Sequence, residues 1–114
     1  MAQKSEDKRQ YPRVKFTNPV RYQIRGKPES DHAICDNLSV GGIGLTANRF
    51  IPRATPLMME FNVLSRIINP VGYVSWASPI PHSDRYKLGI EFKEFDPREK
   101  DYLSDFVDLQ RTIP

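Results

Sequence analysis

A chain of 114 residues, 39% hydrophobic and 27% charged, has the composition of one globular domain and leaves little room for a second folding unit. No apolar run approaches the roughly 20 residues of a membrane helix, so no membrane insertion is expected. The opening MAQKSEDKRQ lacks the apolar stretch of a secretory signal, so a cytoplasmic location is expected, and the single Cys35 excludes an internal disulfide.

The net charge of +3 is unevenly spread: residues 1–27 carry eight Lys or Arg against two acids, and residues 94–108 carry two against six. Residues 1–15 therefore read as a basic N-terminal arm. They hold few apolar groups, so little burial offsets the entropy of ordering them, and the arm is expected to be flexible until a ligand fixes it. Within it KRQYPRV sets Arg9 and Arg13 either side of Tyr11 and Pro12. An arginine fork can reach guanine O6 and N7, pair with phosphate and stack on a base. Charge alone reads equally as a solvated tail.

From residue 16 to 110 the pattern is that of a folded domain. Prolines and turn residues cut the chain into about six short strand-like runs, the spacing of an antiparallel barrel or sandwich. In PVRYQIR the inward set is Val20, Tyr22 and Ile24; in LMMEFNV it is Leu57, Met59, Phe61 and Val63; in YKLGIEFK it is Tyr86, Leu88, Ile90 and Phe92. HAICDNL, GIGLTA and INPVGYVSWA supply the other strands, less cleanly patterned. In DPREKDYLSDFVDL the period changes, and Tyr102, Leu103, Phe106, Val107 and Leu109 fall at helical spacing. Asp96 is the expected N-cap, Pro97 the first helical residue and Glu99 the reciprocal member of a capping box.

Between two strands lies DNLSVGGIG, where Asn37 and Ser39 share strand parity and Gly42 permits close approach of a ligand. Alone, it reads more readily as a polar turn with glycines where the chain bends. Other residues are discounted: His32 and Cys35 lack the further ligands of a metal site, His82 sits in a loop, and Ser39 has no evident base for catalysis. Trp76, large and apolar in a strand, is expected in the core. No acid–base constellation marks an enzyme and no cofactor is expected.

Taken together and in order, the two stretches resemble the PilZ family of bacterial receptors for cyclic di-GMP. Its first motif, two arginines separated by three residues, is matched by Arg9 and Arg13; its second, Asp or Asn, any residue, Ser, any two, Gly, is matched by Asn37, Ser39 and Gly42. The VSW around Trp76, the following YKLGIEF and the final helix extend the likeness from about Lys8 to about Phe106. The resemblance implies an all-β fold, a six-stranded antiparallel barrel with a short C-terminal helix, whose arm closes over the dinucleotide. The arginines would hold guanine and phosphate, with Lys8 as a further charge for phosphate, and the second motif would read guanine. Asn37 lacks the carboxylate more usual there, and Asp36 points the opposite way in an ideal strand. The expected function is a cyclic di-GMP receptor or adaptor that changes shape and signals to a protein partner, with no nucleic acid bound. The alternatives are a PilZ-like interaction module without nucleotide and a small-barrel binder of single-stranded nucleic acid.

Overall fold

A computed structural model describes residues 11–112. Seven strands run β1 (Val14–Ile24), β2 (Ser30–Leu38), β3 (Gly42–Ala47), β4 (Pro56–Val63), β5 (Arg66–Ile68), β6 (Val71–Pro79) and β7 (Tyr86–Glu94), followed by helix α1 (Pro97–Thr112). All pairings are antiparallel, in the order β1-β2-β3-β7-β6-β4-β5. A further pairing of β1 with β4, Val20 opposite Phe61 through Ile24 opposite Leu57, closes six strands into a barrel.

Among the departures from the period-2 reading, three shape the fold around the β5–β6 break and the outer face of the barrel. The run INPVGYVSWA is split, because Pro70 has no N–H for a ladder; Ile68 ends β5, β6 begins at Val71, and the strand count is seven rather than six. In β2, Cys35 faces Leu45 and Asn37 faces Gly44, so Asp36 is an extra residue against β3. In β6, Val74 faces Ile90 and Trp76 faces Gly89, so Ser75 is likewise extra, its hydroxyl donating to Gly89 O at 3.0 Å. Such bulges bend strands, which suits closure, and they reverse which face the following side chain takes.

Of the residues expected inward from the cleanest runs, Val20, Leu57, Val63 and Leu88 are fully buried and Ile24, Tyr86 and Phe92 only partly; Leu45 and Val74, from the less cleanly patterned strands, are also fully buried. Ile51, in the loop after β3, is also fully buried. Helix α1 packs Leu103, Phe106 and Val107 into the same core. Phe106 meets the ring of Phe16 edge-on at 5.4 Å, and Tyr102 Oη donates to Val63 O at 3.1 Å. Asp96 caps the helix as expected, Oδ1 accepting from the Arg98 N–H at 2.8 Å. Glu99 does something other than the expected box: its carboxylate accepts the Asn69 N–H at 2.9 Å, tying the helix start to the β5–β6 break. Leu109, expected on the buried stripe, is 53% exposed.

No helix of the described residues is long and apolar enough to cross a membrane.

Candidate functional site

The adjacent glycines Gly41 and Gly42 receive the segment that leads into β1. A Cβ on Gly41 would stand 2.4 Å from the ring of Tyr11, so that ring lies directly on the glycine. A Cβ on Gly42 would stand 2.3 Å from Ile90 O, so Gly42 lets β3 approach β7, and it would lie 3.6 Å from Arg13 Nη2 above it. Arg13 Nη1 in turn donates to Asn37 Oδ1 at 2.6 Å. The two stretches singled out by sequence are therefore in contact through Arg13, Asn37 and Gly42. Arg9 and Lys8, the other expected ligand residues, lie outside the described residues.

Ser39 has a different place from its motif partners. It is 2% exposed, its Oγ accepts from Gly41 N at 3.1 Å and Gly42 N at 3.0 Å, and its own N–H donates to Gly42 O at 2.9 Å. The hydroxyl holds the glycine turn in shape, and so sets where Arg13 and Tyr11 rest.

Beside Arg13 and Asn37 opens a cleft of about 290 Å³ on the outer face of the barrel, also lined by Asp36, Trp76 and Lys87. Two glycines lie at its floor, each covered by a side chain of the cleft itself. Gly44 and Gly89 face each other across β3 and β7. A Cβ on Gly44 would be 2.6 Å from Asn37 Nδ2, and one on Gly89 would be 2.1 Å from Trp76 Nε1. One row across the sheet thus reads Asn37, Gly44, Gly89, Trp76. Trp76 is 51% exposed and walls the cleft, contrary to its expected core position, because the extra Ser75 turns it outward.

The adjoining row holds Asp36, Thr46 and Lys87. Asp36 Oδ2 accepts from Thr46 Oγ1 and from Lys87 Nζ, each at 2.8 Å. Asp36 was expected to face away from Asn37; the bulge gives both side chains to the cleft, while Cys35 and Leu38 on either side stay fully buried. Cys35 Sγ donates to Asn37 O at 3.3 Å, and burial, with the charge of Asp36 adding, pushes its thiol up to about 12. His32, two strand positions before Ile34, is exposed on the outer face whereas Cys35 is buried, so the two do not converge. Among the described residues no group of three His, Cys, Asp or Glu side chains gathers around a metal position.

Sequence reasoning missed Trp76, Asp36 and Lys87 as cleft residues. The alternation in YKLGIEFK already set Lys87 and Gly89 on the outward face, and outward glycines in two adjoining strands, Gly44 and Gly89, signal a surface that something approaches closely.

The barrel is similar to several solved structures. The Bacillus subtilis inhibitor of motility (MotI/DgrA) matches with a TM-score of 0.79 at 20% identity, over 91% of this chain and 51% of that one. The PilZ domain of YcgR from Escherichia coli, solved with c-di-GMP, matches with a TM-score of 0.70 at 14% identity, over 91% and 92%. PlzA of Borreliella burgdorferi, in complex with c-di-GMP, matches with a TM-score of 0.64 at 15% identity, over 92% and 43%. These are likenesses of fold, and the chain spans about half of the MotI chain or less than half of PlzA. No curated protein matches by sequence. The family model described as PilZ domain matches residues 7–109, which takes in both motifs, the cleft and most of α1, and the chain belongs to the PilZ domain family.

Proposed function

We propose that this protein is a cyclic di-GMP receptor that binds the dinucleotide between its N-terminal segment and the Asn37–Trp76 cleft and signals binding to a protein partner. The observation that carries the reading is the Arg13–Asn37 bond at the mouth of a cleft in which the half-exposed Trp76 lies on Gly89. A guanidinium supplies donors for guanine or phosphate, and the outer face of the Trp76 indole, which lies on Gly89, supplies a surface on which a planar base can stack. A volume of about 290 Å³ is at the lower edge of small-molecule sites, so the cleft takes one base while the rest of the ligand lies on the open surface under the arm. Arg9 and Lys8, carried by the arm, are the expected partners for that remainder.

The signal in this reading is ordering of the arm. Tyr11 and Arg13 rest against the glycine turn, so ligand contacts from Arg9 would extend an existing contact toward the N-terminus. Neighbours solved with c-di-GMP, YcgR and PlzA, support the ligand's identity by family.

Titration calorimetry with cyclic di-GMP, with GTP and cyclic di-AMP as controls, tests the reading: saturable binding of the first and weak or absent binding of the others is expected. Absence of cyclic di-GMP binding overturns it. The outward Trp76 beside Lys87 also favours a second reading, stacking of single-stranded nucleic acid, which a titration with an RNA oligonucleotide separates from the first.

A further inference from the structure

We infer that Asp36 and Lys87 together read the Watson–Crick edge of a guanine held in the cleft, so that the carboxylate for base selection comes from residue 36 and not from the motif position Asn37; the inference rests on the cyclic di-GMP reading above. Asn37 has no carboxylate, and its side-chain oxygen accepts from Arg13 at 2.6 Å. Asp36 is the neighbouring carboxylate, turned to the same cleft by the β2 bulge. It is held from two sides, by Thr46 Oγ1 and Lys87 Nζ, each 2.8 Å from Oδ2. Both bonds use Oδ2, so Oδ1 is not spent on them. The Asp36 and Lys87 side chains are 31% and 46% exposed, which leaves them reachable from the cleft.

The pair therefore offers a fixed acceptor beside a fixed donor. Guanine presents the complement along one edge: O6 accepts, and N1–H and N2–H donate. Lys87 would donate to O6 while Asp36 accepts from N1–H and N2–H. Adenine reverses the pattern, with an N6 donor facing the ammonium and an unprotonated N1 facing the carboxylate. Discrimination then comes from repulsion as well as attraction. The row Asp36, Thr46, Lys87 runs directly beside the Gly44–Gly89 floor, since Thr46 pairs with Lys87 as Gly44 pairs with Gly89. A base stacked on the Trp76 indole, which lies on Gly89, has its edge toward the pair.

The test uses the full chain and two ligands, cyclic di-GMP and cyclic di-AMP, titrated into the parent, Asp36→Asn and Lys87→Gln, with thermal unfolding of each to verify folding. Asp36→Asn should weaken cyclic di-GMP roughly 10- to 100-fold and narrow the ratio between the two ligands, since an amide can offer either an acceptor or a donor. Lys87→Gln should narrow the ratio in the same direction. Unchanged affinity and ratio in both variants, or an equal loss for both ligands, would mean that the pair is structural and overturns the inference while the parent's binding leaves the receptor reading standing. Failure of the parent to bind cyclic di-GMP overturns both.

Discussion

Arg13 Nη1 lies 2.6 Å from Asn37 Oδ1, which joins two stretches 24 residues apart in the chain. The second of the paired arginines thus bonds to the second motif, and the motif's Asn has a partner to lose as well as a ligand to gain. Arg13→Ala should cost about 1–3 kcal/mol of cyclic di-GMP binding if the fork makes one good bidentate contact. Because the bond is exposed, folding should change by no more than about 0.5–1.5 kcal/mol. Calorimetry and urea unfolding of the same preparation separate the two, and unchanged affinity would remove Arg13 from the site.

Two glycines with nearly equal steric clashes should respond oppositely. At Gly42 an added methyl meets the backbone oxygen of Ile90 at 2.3 Å, which cannot yield without parting β3 from β7, so Gly42→Ala should destabilise by about 1–3 kcal/mol. At Gly89 the methyl meets the indole of a half-exposed tryptophan at 2.1 Å, which can swing away. Gly89→Ala should keep the stability of the parent within about 0.5 kcal/mol, yet weaken ligand binding. Trp76 is the only tryptophan, so its emission reports the displacement directly. A strongly destabilised Gly89→Ala would show that the indole is held in place by more than its contact with the strand.

Alternation was the most legible part of this chain. Val20 and Tyr22, the alternate residues Leu57, Met59, Phe61 and Val63, and Leu88 with Ile90 face inward because no extra residue falls inside those stretches themselves. The site was legible only as motifs, and its walls were hidden for one physical reason. A bulge inserts one residue without changing composition, so the parity that buries Val74 predicts burial of Trp76, and the parity that exposes Asn37 predicts that Asp36 turns away. Leu109 was misplaced for a different reason: it lies at helical spacing, but the core contact of α1 is made by Leu103, Phe106 and Val107, and the last turns extend beyond it.

That geometry of α1 gives a stability contrast. Phe106 is 5% exposed and edge-on to Phe16, so Phe106→Ala should cost about 3–5 kcal/mol, enough to lower the unfolding midpoint by many degrees. Leu109→Ala removes a side chain that is 53% exposed and should fall within about 0.5 kcal/mol of the parent. Equal losses in the two would mean that Leu109 is covered in solution by something beyond the described chain.

The thiol beneath the site should report on the fold through pH. Burial raises Cys35 from 9.0 to about 12, with the nearby Asp36 charge acting in the same direction, so the fold favours the neutral thiol. A raised folded value means that the associated stability is complete below the unfolded value and is lost as pH climbs from about 9 toward 12. Tyr22, also raised from its ordinary 10.0 by burial, acts with the same sign, so the wild-type slope alone cannot isolate Cys35. Cys35→Ala does so: it should be less stable than the parent at neutral pH, because it empties a fully buried position, and the gap should close as pH rises from 9 to 11. At pH 8 the folded parent should barely react with a thiol reagent, since thiolate is the nucleophile, and urea should release one reactive thiol per chain. A gap that stays constant with pH, or labelling as fast in the folded protein as in urea, would show that Cys35 ionises freely and that the floor of the Asn37 strand opens to water.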